Sequence, residues 1–147
     1  MRFSRQSLHM ATAILWANRS LCKRNKVGAV IVSPDMRQVL SFGYNGPAKG
    51  LPNDVCSAEE GKCGCIHAEM NAIALVDGTI KDKVLFTTVF PCRMCAQLIV
   101  QANISSVFFL KAYRDESAEG VFNQCGVKPQ HLFLSEELLS LTLRQLG

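Results

Sequence analysis

The sequence predicts an α/β protein: one three-layer α/β/α domain over residues 1–147, built around a central mixed five-stranded sheet. Three observations lead there. Short apolar, β-branched runs alternate with stretches of helical period once an opening pair of strands has passed. Hydrophobic residues make up 48% of the 147 positions and charged residues 19%, enough for one domain with its own core. No apolar run approaches the length of a membrane span, and no internal repeat or low-complexity stretch interrupts the pattern.

The elements follow in order. Ser4 is placed to cap a first helix running to about residue 21, with Leu8, Ala11, Ile14 and Leu15 along one side. VGAVIVS at 27–33 reads as a strand stopped by Pro34-Asp35, and QVLSFGY at 38–44 returns as the second arm of a hairpin. Residues 45–65, NGPAKGLPNDVCSAEEGKCGC, are rich in Gly, Pro and Cys and have no period. A loop that long in a compact domain is usually functional or held by something. A second helix is expected over 66–76 and a strand over 84–88. Pro91 then opens a third helix over 92–102, as proline suits a helix N-terminus. SVFFL at 106–110 reads as a strand buried on both faces. A helix over 117–125, a short strand over 132–134 and a helix over 135–146 complete the chain.

The net charge, 16 − 12 = +4, is mild. It suits small anionic ligands and is too scattered to argue for a nucleic-acid surface. The first twenty residues carry arginines and apolar side chains, but Ser4, Gln6, Ser7, His9 and Asn18 break up any signal-type core. The expectation is an amphipathic helix in a cytoplasmic protein. Seven cysteines, an odd number without a signal segment, argue against a disulfide framework and for metal binding or reactive thiols.

His67 and Glu69 stand two apart at the start of the second helix, where they do not share a face. An object at the helix tip can use both. Cys92 and Cys95 are three apart at the start of the third helix, so they do share a face, and a helix N-terminus favours thiolates. Two thiolates and one imidazole suit zinc, and three protein ligands leave its fourth position open, the layout of a catalytic site. Glu69 is then an acidic group beside the metal, free to carry protons. The pattern His67-Ala68-Glu69, then Pro91-Cys92-Arg93-Met94-Cys95, is the H-x-E…P-C-x-x-C mark of zinc nucleobase deaminases. The expected reaction is zinc-assisted attack of water on C4 of a cytosine. Glu69 moves protons to ring N3 and to the leaving ammonia. A structural zinc knuckle, with Glu69 only favouring the helix dipole, explains fewer of these five positions.

CKRNKVGAVIVSP, GYNGPAKGLPND, IHAEMNAI and PCRMCAQLIVQANISSVFF together resemble the deoxycytidylate (dCMP) deaminases of the short bacterial and phage kind, over residues 22–127. The resemblance implies the cytidine-deaminase-like fold and hydrolysis of dCMP to dUMP, which supplies dTTP synthesis. It also implies a sugar contact from Asn25, a base lying against Val27, Ala29 and Ala68, and an amino group read by the backbone at Phe90 and Pro91. As a turn residue, Asn25 would need no ligand. The phosphate needs a donor fork, for which Arg114 beside Tyr113 is the first choice and Lys23, Arg24 and Lys26 the alternatives. Regulation is implied too: activation by dCTP with Mg2+ and inhibition by dTTP, at a site built from Gly43, Tyr44, Asn45 and Gly46. Lys49 stands near enough in sequence to meet a phosphate. The competing account of that stretch is a simple Asn-Gly turn. A homo-oligomer is implied, with a hexamer favoured, and some relatives carry a second, structural zinc. Cys22, Cys56, Cys63 and Cys65 could hold one here, or could be free buried thiols. Two other functions stay open on the residues: a deaminase of another cytosine or adenine compound, and a catalytically weak nucleotide-binding protein of the same fold.

Overall fold

In the computed structural model, residues 2–59, 63–112 and 116–144 are described. Their elements run α1 (Arg5–Ala17), β1 (Gly28–Val32), β2 (Val39–Tyr44), a 3-10 turn (Asn53–Val55), α2 (Ala68–Ala74) and β3 (Lys83–Val89). There follow α3 (Arg93–Gln101), β4 (Ile104–Lys111), α4 (Glu116–Cys125), β5 (Lys128–His131) and α5 (Glu136–Arg144). The five strands form one sheet in the order β2-β1-β3-β4-β5. β1 is antiparallel to both of its neighbours, whereas β3, β4 and β5 are parallel. The sheet is therefore mixed, as the alternating pattern predicts.

β1 shows why its sequence is an unbroken apolar run. Ala29 and Ile31 point into a core shared with α2, α3 and α4, where Leu85, Ile99 and Phe122 are fully buried. Val30 and Val32 point the other way, into a core with Met10 and Ala13 of α1 and with Phe86. Both faces are covered, so no alternation survives. Each of the large side chains removed from water stabilises the fold by about 1.5–3 kcal/mol.

Three sequence expectations change. The inward face of α1 is Met10, Ala13 and Ala17, with Ala11 also buried, while Leu8 and Leu15 are 46% and 40% exposed. The reason is Gly28: a Cβ there would collide with the carbonyl oxygen of Ala13 and lie 2.8 Å from the amide of Ala17. The helix rests almost on the strand backbone, and only small side chains fit between them. α1 also stops at Ala17 rather than near residue 21. Ser20 beyond it is buried, and its hydroxyl donates to the carbonyl of Asn45, which turns the chain toward β1. Finally, β5 is residues 128–131, not 132–134. It is an edge strand and largely exposed, so it is polar, while Leu132 and Leu134 pack on the α1-side core beyond its end.

Lys83 opens β3 fully buried, and its ammonium donates to the carbonyls of Asp77 (3.0 Å) and Ile80. Burial holds its pKa below the ordinary 10.5. Lys83→Met should therefore strand two carbonyls and lower stability by about 1–3 kcal/mol, read by thermal denaturation. The folded state releases this proton before the unfolded chain does. Wild-type stability should thus gain relative to Lys83→Met as pH rises toward 10.5.

Candidate functional site

His67 is the N-cap of α2, in extended backbone, so its side chain projects past the helix end and not along it. Glu69 lies in the first turn and is 4% exposed. Cys92 is the N-cap of α3, and its sulfur accepts from the Cys95 amide at 3.5 Å. The two helix tips meet. His67 Nδ1 is 3.5 Å from Cys92 Sγ and 3.3 Å from Cys95 Sγ. Tetrahedral zinc with its usual bond lengths sets N and S about 3.5 Å apart. The three donors therefore fit zinc in type and in spacing.

The charges agree. The Cys95 thiol and the His67 ring bring Cys92 down to about 4, whereas Cys95 is pushed up by its bond to Cys92, by burial and by Glu69. His67 is raised, chiefly by Cys92. Burial raises Glu69, within hydrogen-bond reach of Cys95. Two thiolates and a carboxylate this close are all ionised together only with a cation among them.

These groups form one side of a cavity of about 340 Å³. Because β1 runs antiparallel to β3, with Ala29 opposite Thr87, the start of β1 and the end of β3 lie at the same sheet end. Val27, Val89 and Phe90 line the cavity from there, Ala68 and Glu69 line it from α2, and Arg24 and Asn25 close another side. Of the sequence candidates, Asn25, Val27, Ala68 and Phe90 are thus brought to the three candidate metal ligands. Ala29 is not on the wall: it shares a strand face with Val27 but lies one step further along β1, fully buried in the core beneath. Pro91 is buried and is likewise absent from the lining. Tyr113 and Arg114 lie outside the described residues. Arg24 was only one of several cations in the sequence, with nothing to single it out until the chain folded. Val89 was hidden inside a strand.

The GYNG stretch has structural work. Gly43 is in β2, not in a turn, and a Cβ there would meet the backbone of α2, colliding with the Ala68 carbonyl oxygen and 2.7 Å from the Ala72 amide. Asn45 is buried; its Oδ1 accepts from the Val27 amide (2.8 Å) and its Nδ2 donates to the Asn25 carbonyl (2.6 Å). Asn71 of α2, unremarked in the sequence, donates to the Tyr44 carbonyl at 2.9 Å. Tyr44, Asn45 and Gly46 line a smaller cavity of about 190 Å³ with Arg19 and Pro47; Lys49 is not on its wall.

A second thiol cluster lies alongside. Cys22, Cys56, Cys63 and Cys65 place their Sγ atoms all within 4.8 Å of one another. Among the described residues no helix is long and apolar enough to cross a membrane.

Comparison with known proteins agrees with this geometry. The sequence model described as "Cytidine and deoxycytidylate deaminase zinc-binding region" matches residues 3–111. The ComE operon protein 2 of Bacillus subtilis is 34% identical, over 98% of this chain and 79% of that protein. The human deoxycytidylate deaminase is 36% identical, over 80% of this chain and 74% of its own. The yeast deoxycytidylate deaminase is 35% identical over 93% of this chain, which spans about half (47%) of its length. The crystal structure of dCMP deaminase from the cyanophage S-TIM5 in complex with dCMP and dUMP superposes with a TM-score of 0.78 at 33% identity, covering 90% of this chain and 99% of that one.

Proposed function

The chain belongs to the cytidine and deoxycytidylate deaminase family, and from that membership we propose that it hydrolyses dCMP to dUMP and ammonia with zinc on His67, Cys92 and Cys95. The observation that carries this reading is the buried Glu69 set against that three-donor cluster, at the side of a cavity of about 340 Å³. Zinc bound there supplies the Lewis acidity that makes water nucleophilic near neutral pH. Glu69 takes the proton of the attacking water, and burial, which favours its protonated form, helps it keep that proton. It gives a proton to ring N3 as the C4–O bond forms. It carries another to the amino group as the C4–N bond breaks and ammonia leaves.

Val27 and Ala68 flank the base, backbone near Phe90 reads the amino group, and Asn25 meets the sugar. Arg24, on the cavity wall, becomes the first choice for the phosphate. Residues 1–147 act as one cytoplasmic zinc domain that supplies dUMP for dTTP synthesis. The smaller cavity beside Tyr44 and Gly46 is the candidate regulatory site, activated by dCTP with Mg2+ and inhibited by dTTP, in a homo-oligomer, a hexamer by preference. A second zinc on the four thiols belongs to the same reading.

The test is ammonia release from dCMP, dCTP and deoxycytidine offered separately, with and without each effector. dCMP should be turned over in preference to the others, and Arg24→Ala should raise KM for dCMP by roughly tenfold or more while leaving deoxycytidine unaffected. Turnover indifferent to both triphosphates would remove the regulatory site and keep the enzyme. No ammonia from any of the three, with zinc bound, would shift the reading to another base or to a nucleotide-binding protein.

A further inference from the structure

Asn25 and Val27 line the cavity on a stretch of chain that has no regular structure of its own. Residues 21–27 lie in no helix or strand, and Arg24, Asn25 and Lys26 are exposed. β1 begins at Gly28, whose partner across the sheet is Tyr44 of β2. The next rung is Asn45, whose backbone amide donates to the Val27 carbonyl at 3.2 Å. There the backbone beyond β2 turns away, because Gly46 pairs with Ile66 instead. A further rung to Asn25 has to come from a side chain.

Asn45 supplies it. Its Oδ1 accepts from the Val27 amide at 2.8 Å, and its Nδ2 donates to the Asn25 carbonyl at 2.6 Å. A side-chain amide offers a carbonyl and an N–H side by side, as a peptide group does, so it can stand in for the missing strand residue. The Asn45 carbonyl accepts from Ser20 Oγ at 2.8 Å, so main chain and side chain alike are held within the protein. A buried amide bonded in this way is fixed in orientation.

The anchors of Asn45 decide what it does. Before it, the Tyr44 carbonyl accepts from Asn71 of α2. After it, Gly46 is paired with Ile66, the residue that precedes His67. Asn45 thus stands between two ties to the wall that carries His67 and Glu69. Its side chain passes that position to Asn25 and Val27, on another wall of the same cavity.

We infer that Asn45 is a positioning residue: it holds residues 25–27 in place relative to His67 and Glu69, and so sets substrate affinity through Asn25 and Val27 without touching the reacting atoms. The affinity part rests on the dCMP reading; the hold on residues 25–27 does not. As a ligand of a regulatory nucleotide, Asn45 would act when a triphosphate is bound. As a positioning residue it acts in the absence of one.

The experiment measures kcat and KM for dCMP with no triphosphate present, in the wild type, Asn45→Ala, Asn25→Ala and the double variant. Zinc content and amide exchange over residues 24–28 are measured on the same preparations. Asn45→Ala should keep its zinc and exchange roughly tenfold faster over that segment. Its KM should rise roughly tenfold with kcat within about threefold. In the Asn25→Ala background the same substitution should raise KM by no more than about threefold, because the side chain it places is gone. Should Asn45→Ala not fold, Asn45→Asp takes its place. That variant matches the size and keeps the acceptor for Val27, but turns a carboxylate oxygen toward the Asn25 carbonyl, and it should raise KM by the same order. Unchanged exchange, a KM within about twofold of wild type, or full additivity of the two substitutions overturns the inference. So does a defect that appears only with dCTP or dTTP present, which would make Asn45 an effector ligand. Faster exchange in the variant, with dCMP inert even in the wild type, supports the hold on residues 25–27 and sinks the dCMP reading.

Discussion

Glu69→Gln should keep its full zinc content and lose at least about 10³-fold in kcat, some 4 kcal/mol of transition-state stabilisation. The substitution preserves size and planarity at a site only 4% exposed, so packing barely changes. The ligands His67, Cys92 and Cys95 are untouched, and their mutual spacing does not depend on the carboxylate. What disappears is the acidic group beside the cluster that can accept a proton and return it, the one such group among the described residues that line the cavity. An amide cannot do either. Activity and metal content must be measured on the same preparation. A variant that retains more than about a tenth of the rate would remove Glu69 from proton transfer. One that loses zinc would make it a ligand or a prop for one.

The second large effect is expected at Gly43, through packing. Gly43→Ala places a methyl group into the backbone of α2, where neither the Ala68 carbonyl nor the Ala72 amide can rotate aside. Forcing them apart should cost about 3 kcal/mol or more and lower the melting temperature by roughly 10 °C. α2 carries His67 at its cap and Glu69 in its first turn, so the folded fraction should also bind zinc more weakly. Gly28→Ala is the control. It forces α1 off β1 by the same kind of clash, on the opposite face of the sheet. It should destabilise comparably while sparing zinc affinity. Equal loss of zinc affinity in the two variants would show that the effect is general unfolding. Near-wild-type stability in Gly43→Ala would mean that β2 and α2 can separate freely.

The His67, Cys92 and Cys95 cluster was legible because its signal is local. Two helix starts, each with its own short spacing, identify His67, Cys92 and Cys95 before anything is folded, and Glu69 follows from the first turn. The cavity around them was only partly legible. Val27 and Ala29 share one face of the strand, but Val27 stands at its open end and reaches the wall while Ala29 lies one step deeper in the core, and no pattern in an unbroken apolar run says where that boundary falls. Leu8 and Leu15 suggested an apolar stripe on α1, but the close approach over Gly28 reserves that contact for alanine. Leu132 and Leu134 suggested a strand because they are apolar, whereas the real edge strand is polar since water covers it. Cys22 meets Cys56, Cys63 and Cys65 only through the fold. No spacing rule joins position 22 to a loop that begins after two intervening strands.

Gly46 and Ile66 exchange both of their backbone bonds, N–H to carbonyl at 3.1 and 2.7 Å. This short ladder sits at the neck of the connection between β2 and α2, immediately before the first metal ligand. The chain leaves the sheet after Gly46 and is back at the same point at Ile66. The connection can therefore change in length while His67 keeps its address, since doubling such a loop costs only about 0.6 kcal/mol of closure entropy. The neck thus fixes where His67 stands independently of the length of the connection that precedes it.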